Sequence, residues 1–220
     1  MNGFESVEHS YSTELIRKGI HISSLSIPLV YYYLTRETAL MILIPITLAF
    51  AVTDILRLFH PASGRLYERA FGFLLRKHEQ NTQGRKLTGA TYVLLSATIC
   101  VAVFPKVIVI TSFAILIISD TMAALIGRRF GKHRFLTKSL EGSTAFFVSA
   151  LLVVAIAPKI AYLPVEYFAG AAAALTATIV EATALPVDDN LSIPLSAGAV
   201  MWGLYALFLP ALDLYSMGIV

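Results

Sequence analysis

Long apolar blocks with few charges are the feature of this sequence that most limits what it can fold into. Of its 220 residues, 57% are apolar and only 14% are charged, whereas soluble domains carry about 25% charged residues. The apolar residues form continuous blocks instead of the spaced stripes of amphipathic helices. A bilayer core needs roughly 20 such residues per helix. The chain is therefore predicted to be an all-α, polytopic bundle of membrane helices.

Seven stretches approach membrane-spanning length. They cover approximately residues 15–34, 39–59, 87–104, 107–126, 143–157, 165–183 and 191–209. The fifth is short and the sixth is rich in alanine, so totals of six or eight remain open. No repeat or low-complexity linker divides the sequence. We therefore expect one integral membrane domain over residues 1–220, with a short polar segment at 1–13.

The distribution of lysine and arginine predicts the orientation of the bundle, because cytoplasmic loops retain an excess of these residues. With a cytoplasmic N-terminus, only Arg36, Lys106 and Lys159 of the 17 basic residues lie on the outer side. The basic loop at 65–86 is then explained by topology and by attraction to anionic lipid head groups, with substrate binding as the alternative. A nucleic-acid partner is not expected.

Charged residues inside the first two predicted spans are expensive in hydrocarbon and indicate paired or functional positions. Spacings of three and four residues place Lys18 and Arg17 on the same side of the first helix as His21, where they would face an anion at the cytoplasmic side. A simple positive anchor is the alternative, although it leaves His21 unexplained. Asp54 and Arg57, three residues apart in the second span, are expected to pair with each other.

The segment from 119 to 142 is the strongest local signal. Asp120 lies seven residues before Gly127, which places it roughly 10 Å below the cytoplasmic helix end. Gly127 and Gly131 permit close approach of the backbone, and Glu141 returns a second carboxylate to the membrane boundary. Donors suited to phosphate oxygens lie between them, namely Arg128, Arg129, Lys132 and Lys138. Two carboxylates beside such a loop predict a magnesium-nucleotide site, and an ordinary basic loop is the alternative.

The connection between the sixth and seventh spans supplies further acidic and amide groups. Glu181, Asp188, Asp189 and Asn190 occur within ten residues, and the predicted topology brings them to the face of the basic loop. A metal ion between these opposite charges would account for both sets. The alternative is a solvated turn capped by Asp and Asn, which explains one or two of the four residues.

Six segments in order along the chain carry a family resemblance. They are ELIRKGIH at 14–21, TDILR at 53–57, GRKLTGATY at 84–92 with Thr88 at its centre, SDTMAALIGRRFGKHR at 119–134, KSLEGSTAFF at 138–147 and EATALPVDDNLSIPL at 181–195. Together they resemble the CTP-dependent lipid kinases, which include dolichol kinase, phytol kinase and the yeast-type diacylglycerol kinase. Phosphatidate cytidylyltransferases are related, but their closing signature rich in Lys-Asp, Pro-Gly and Asp-Arg is absent here.

The resemblance implies transfer of the γ-phosphoryl group of CTP to the hydroxyl of a lipid such as phytol, a polyprenol, dolichol or diacylglycerol. It implies a multi-pass membrane protein with its site on the cytoplasmic side, in the cell membrane if the source is a prokaryote. Asp120, Asp189 and Glu141 are then expected to hold Mg²⁺, and Asp120 or Asp189 could instead accept the hydroxyl proton. The resemblance places Lys138, Arg128 and Lys132 at the phosphates, and Arg17, Lys18 and His21 in a supporting polar wall.

Two other functions stay open at this point. A cytidylyltransferase would use similar groups while the lipid phosphate attacks the α-phosphorus of CTP. A transporter would also place carboxylates within the membrane, but no matching polar set lies on the outer side and no inverted repeat is visible. The sequence does not define an oligomeric state.

Overall fold

The computed structural model of the chain describes residues 16–71, 86–183 and 185–215. The predicted polar segment 1–13 lies outside the described residues. So do Arg76, Lys77 and Arg85 of the predicted basic loop. The described chain is mostly helical, in agreement with the predicted fold class.

The helices follow the predicted spans, except that the first span is interrupted and that a further helix forms at 61–71, between the second and third predicted spans. Residues 16–23 form α1, and a turn at 24–25 separates it from α2 (Ser26–Tyr33). The other helices are α3 (Arg36–Phe59), α4 (Pro61–Phe71), α5 (Gly89–Val103), α6 (Lys106–Ala114), α7 (Asp120–Phe130), α8 (Leu140–Ile156), α9 (Pro164–Ala182) and α10 (Asp189–Phe208).

Among the residues that the structure describes, four helical segments are long and apolar enough to cross a membrane, namely Arg36–Phe59, Lys106–Phe130, Pro164–Ala182 and Asp189–Phe208. The apolar helices α5 and α8 are shorter, with 15 and 17 residues. The structure therefore agrees with a helical membrane protein, and the total of seven spans stays a prediction.

The central rod of the bundle is formed by α6 and α7, joined through a π-helical segment at Ile115–Ser119. Phe113, Leu116 and Ile117 within this rod are completely buried. Asp120 follows directly after the π-helical segment. Such segments are rare and frequently occur at functional sites, so the backbone irregularity and the predicted carboxylate coincide.

A small antiparallel ribbon connects α7 to α8 and was not predicted. Its strands are β1 (Arg134–Phe135) and β2 (Lys138–Ser139), in which Arg134 faces Ser139 and Phe135 faces Lys138. Leu136 in the intervening turn has a positive φ of 51°. The ribbon gives Lys138 a fixed backbone position between two helices.

Short polar side chains define where several helices begin. Each accepts a hydrogen bond from a backbone N–H of the first turn, which is otherwise left without a partner inside the helix. These residues are Thr35 for α3, Thr88 for α5, Ser139 for α8 and Asp188 for α10. Thr88, Ser139 and Asp188 belong to segments of the family resemblance, so local helix starts explain part of those motifs.

The three cations assigned to the outer side each bind backbone carbonyls near a helix end, where the helix dipole favours positive charge. Arg36 donates to the oxygens of Val101 (2.8 Å) and Phe104 (2.9 Å). Lys159 donates to those of Val154 (2.6 Å) and Ala157 (2.7 Å). Lys106 reaches the oxygen of Tyr32 at 3.5 Å. These cations are structural, and Arg36 lies at the opposite end of α3 from Asp54 and Arg57.

Candidate active site

Two basic side chains of α1 contact the carboxylate of Asp120. The amine of Lys18 pairs with Asp120 Oδ2 and also donates to its backbone oxygen at 3.2 Å. His21 Nε2 lies 3.4 Å from the same carboxylate oxygen. Lys18 and His21 were predicted to face an anion, and the anion that they contact in the structure is Asp120.

Lys138 connects the ribbon to the acidic ends of two helices. Its Nζ lies 3.1 Å from Oε1 of Glu181 and 3.5 Å from Oδ2 of Asp189. Beside it, Thr137 donates from both its backbone nitrogen (3.1 Å) and its hydroxyl (2.8 Å) to the oxygen of Ala182. The predicted approach of the basic loop to the acidic connection is therefore confirmed for Lys138, which contacts Glu181 and Asp189 directly. The metal ion expected between the opposite charges stays a prediction.

The charge of Lys138 is stabilised by the carboxylates around it. Burial by itself lowers the pKa of the Lys138 amine, but the carboxylates of Glu181 and Asp189 outweigh burial and raise its pKa above 10.5. The charge of Asp120 acts in the same direction. The side chain of Lys138 is 39% exposed, whereas that of Lys18 is 7% exposed. Lys138 is thus a cation that a dissolved ligand can reach.

An open cavity of about 230 Å³ lies beside Lys138. Its polar lining consists of Lys86, Thr137, Lys138, Thr183, Asp188 and Asp189, and its apolar lining of Leu87, Tyr92, Leu185, Pro186 and Val187. Two cations and two carboxylates in one concave surface suit a ligand that combines phosphate groups with a metal ion.

The carboxylates around Lys138 fit a magnesium ion that arrives together with phosphate. Within the described ranges, no group of three or more His, Cys, Asp or Glu side chains is arranged to hold a metal by itself. Magnesium, however, is commonly held by one or two carboxylates while substrate phosphates complete its shell. Oε2 of Glu181 is buried and finds no hydrogen-bond partner among the described residues. A buried oxygen of this kind requires compensation, which a cation beside Glu181 and Asp189 would supply.

Glu141 binds the loop that follows α7. Its carboxylate accepts hydrogen bonds from the backbone nitrogens of Lys132 (3.1 Å) and His133 (3.3 Å). It also lies 2.8 Å from Nδ1 of the His133 ring. These contacts hold the turn between Gly131 and the ribbon. A role for Glu141 as a magnesium ligand stays a prediction.

The glycines of the basic loop lie where α7 and α8 cross closely. A Cβ atom on Gly142 would lie 3.2 Å from Cα of Gly127 and 2.9 Å from the hydroxyl of Ser139. A Cβ atom on Gly131 would lie 2.2 Å from the carbonyl oxygen of Gly127. Close packing of α7 on α8 therefore requires Gly127 and Gly142, and the end of α7 requires Gly131. The predicted approach of phosphate to Gly127 and Gly131 remains a prediction.

The other predicted residues divide between the surface and helix caps. Arg128 and Lys132 are exposed, and Arg17 is partly exposed. Asp188 Oδ1 accepts from the backbone nitrogen (3.0 Å) and the side-chain amide (2.8 Å) of Asn190. The capped-turn alternative is thus confirmed for Asp188 and Asn190, whereas Asp189 and Glu181 face Lys138.

Asp54 and Arg57 form a second, buried polar cluster near the cavity. Arg57 Nε lies 3.3 Å from Asp54 Oδ1, so the predicted pairing is confirmed. Asp54 Oδ2 accepts from the backbone nitrogen (2.7 Å) and hydroxyl (2.9 Å) of Thr88 and from the hydroxyl of Thr91 (2.7 Å). These bonds fix the start of α5 to the end of α3.

Sequence reasoning missed Glu166, a fully buried carboxylate. It accepts hydrogen bonds from three backbone nitrogens of the preceding loop and from the hydroxyl of Tyr205 at 3.2 Å. Glu166 and Glu181 lie at opposite ends of α9, roughly 22 Å apart along the helix axis. The position of Glu166 two residues after the helix-starting Pro164 was the available signal, and its contacts are those of a loop clamp.

Comparison with known proteins places this architecture in a family. No family model matches the chain, and no solved structure matches it. An uncharacterised protein of Rickettsia prowazekii is 33% identical over 188 residues, which are 84% of this chain and 92% of that protein.

Curated kinases are also similar to this chain. The CTP-dependent diacylglycerol kinase 1 of Schizosaccharomyces pombe is 36% identical over 98 residues, covering 43% of this chain and 43% of the kinase. The enzyme of the same name from Saccharomyces cerevisiae is 32% identical over 145 residues, covering 63% and 48%. A dolichol kinase of S. pombe is 37% identical over 89 residues, covering 39% and 17%. The matched segments thus span less than half the length of each kinase.

The fold and the site define a helical membrane protein with lysines and carboxylates gathered at one end of its bundle. The chain belongs to the family that includes the CTP-dependent lipid kinases.

Proposed function

We propose that this protein transfers the γ-phosphoryl group of CTP to the hydroxyl of a membrane lipid alcohol, in the class of diacylglycerol, dolichol, a polyprenol or phytol. The observation that carries the proposal is the accessible Lys138 amine, held 3.1 Å from Glu181 and 3.5 Å from Asp189 beside an open cavity. The names of the kinase relatives support CTP as the donor and a lipid as the acceptor.

Phosphoryl transfer depends mainly on positioning and on neutralising charge. Lys138 binds phosphate oxygens of the nucleotide as a permanently protonated amine at neutral pH. Glu181 and Asp189 would hold magnesium, which when bound neutralises charge on the phosphates. On the surface, Arg128, Lys132 and Arg17 raise the local concentration of the anionic nucleotide.

Asp120 accepts the proton of the lipid hydroxyl in this proposal. The hydroxyl oxygen forms a bond to the γ-phosphorus, the bond between that phosphorus and the bridging oxygen breaks, and CDP leaves. Lys18 and His21 orient the Asp120 carboxylate through their contacts with Oδ2.

The proposal includes a topology of about seven spans, with the N-terminus and the site on the cytoplasmic side, and the cell membrane as location in a prokaryote. Water-soluble CTP and a lipid alcohol meet at that boundary. The position of Arg36 at the opposite end of α3 from Asp54 and Arg57 supports this arrangement, as does the excess of basic residues near the proposed site.

A direct test is to incubate the purified protein in detergent with magnesium, γ-labelled CTP and separate lipid alcohols of each class. We expect label in the lipid fraction for at least one alcohol, and loss of at least about 100-fold in rate for Asp120→Asn. Gly203→Ala is the matched control, because a Cβ atom there meets nothing within 4 Å. No labelled lipid from folded wild-type protein with any of the alcohols would contradict the proposal.

A further inference from the structure

We infer that Lys86 is a second phosphate-binding residue of the cavity and that the buried cluster of Asp54 and Arg57 positions it. This inference rests on the proposed function and gives a role to the part of the cavity wall that the segment before α5 forms.

The lining of the cavity contains two cations. Lys86 and Lys138 are its two lysines, and they come from different elements. Lys138 is already paired with Glu181 and Asp189. Within the ranges that the structure describes, the amine of Lys86 has no carboxylate at ion-pair distance. An exposed cation with no acidic partner, in a concave wall shared with a paired lysine, is suited to a ligand with several negative charges.

Two hydrogen bonds from α3 hold the backbone around Lys86. Arg57 donates from Nη2 to the backbone oxygen of Lys86 at 3.0 Å. Asp54 accepts from the backbone nitrogen of Thr88 at 2.7 Å. Residues on both sides of Leu87, which also lines the cavity, are thus tied to the end of α3. The segment before α5 therefore has a fixed path past the cavity.

The two residues that hold this segment are buried and do not line the cavity. Asp54 is 1% exposed and Arg57 is 3% exposed, so neither can contact a nucleotide in the cavity. Removing one partner of a buried ion pair is costly in free energy. Asp54 and Arg57 use their remaining hydrogen bonds to hold the backbone of Lys86 and Thr88. Asp54 and Arg57 are accordingly positioning residues, and Lys86 is the residue that contacts the ligand.

The experiment compares four variants in CTP kinetics and in CTP-induced thermal stabilisation, which reports binding without turnover. Lys86→Met should raise the KM for CTP about 10-fold or more, because charged hydrogen bonds contribute roughly 1.5–3 kcal/mol. The unfolding temperature without nucleotide should change little. Lys86→Arg should restore most of the affinity, since it keeps the charge.

Asp54→Asn should raise the KM for CTP although Lys86 is intact. Glu166→Gln is the matched control, because Glu166 is equally buried and also bonds backbone nitrogens, but at the other end of the bundle. It should lower the unfolding temperature and leave the KM unchanged. Equal KM effects of Asp54→Asn and Glu166→Gln would overturn the positioning role, and unchanged CTP stabilisation in Lys86→Met would overturn the binding role.

Failure of the role proposed for Lys86 can be distinguished from failure of the proposed function. Absence of both CTP-induced stabilisation and lipid labelling in the wild-type protein would refute the proposed function itself. Stabilisation of the wild-type and Lys86→Met proteins at the same CTP concentrations would refute only the role of Lys86.

Discussion

The amine of Lys138 lies 3.1 Å from the Glu181 carboxylate, and this contact joins the ribbon between α7 and α8 to the end of α9. Residues 43 positions apart in the sequence thereby form one charged centre. Asp189, at the start of α10, lies within 3.5 Å of the same amine. Packing and the proposed chemistry therefore depend on the same contact. Substitutions of both partners are needed to separate the effect on stability from the effect on activity.

Replacing Lys138 with Met should abolish activity and also destabilise the fold. Removal of the amine leaves Glu181 buried without its partner, and loss of one member of a buried pair typically costs about 3–5 kcal/mol. This is an upper range here, because Lys138 is partly exposed. Adding Glu181→Gln should recover part of the unfolding temperature without recovering lipid phosphorylation. Recovery of activity in the double variant would show that Lys138 has only a structural role.

Lys18 and Asp120 should be energetically coupled. Neighbouring residues in one polar network show interaction energies of about 0.5–3 kcal/mol in double-mutant cycles. We expect Lys18→Met and Asp120→Asn to be non-additive in the free energy of unfolding measured in detergent. A cycle between Lys18 and Glu166, at the other end of the bundle, supplies the control and should be additive. Additivity in both cycles would contradict the contact.

The stability of the protein at alkaline pH should depend on Lys138. Because its pKa is raised above 10.5 in the folded state, the stabilisation is fully present below 10.5 and is lost as pH rises through the higher folded value. The unfolding temperature of the wild-type protein should therefore fall more steeply above pH 10.5 than that of Lys138→Met.

Lys159 provides a control of opposite sign for this pH dependence. Burial lowers its pKa, with partial opposition from Glu166, so its contribution to stability rises with pH between the lowered value and 10.5. Lys159→Met should remove that rise. Identical pH curves for wild-type and Lys138→Met proteins would contradict the electrostatic account of the site.

Gly142→Ala should destabilise the crossing of α7 and α8. Its Cβ atom would lie 3.1 Å from the backbone oxygen of Ala123 and 3.2 Å from Cα of Gly127, and neither backbone can move freely in a packed interior. We expect a loss of about 1–3 kcal/mol. Gly203→Ala, with open space around the added atom, should be neutral or stabilising by up to about 1 kcal/mol. Equal effects of the two substitutions in thermal unfolding would contradict the packing.

Much of the architecture could be predicted, because apolar blocks of 15 or more residues with few charges leave few alternatives to membrane helices. The pairing of Asp54 with Arg57 was predictable for a similar reason, since a spacing of three residues brings two side chains together on one helix. The interruption at residues 24–25 and the π-helical segment before Asp120 could not be predicted. In a continuously apolar block, one extra residue in a helical turn does not change the hydrophobic pattern.

The site was predictable in its residue types and less so in its partners. Asp120, Lys138 and Asp189 stood out as charges at membrane boundaries, but only tertiary packing shows that Lys18 and His21 contact Asp120 while Lys138 contacts Glu181. Lys86 was assigned to the topology of the chain because a basic residue beside a span has that explanation by default. Its place in the cavity depends on how α3 holds the start of α5.

The most direct measurement of the central claim supplies the protein with magnesium, lipid alcohols or phosphatidate, and CTP labelled in parallel at the α or γ position. The account predicts γ label in the lipid alcohol, release of CDP, and no α label in any lipid. Transfer of α label to phosphatidate with release of pyrophosphate would contradict it and assign the same site to cytidylyl transfer.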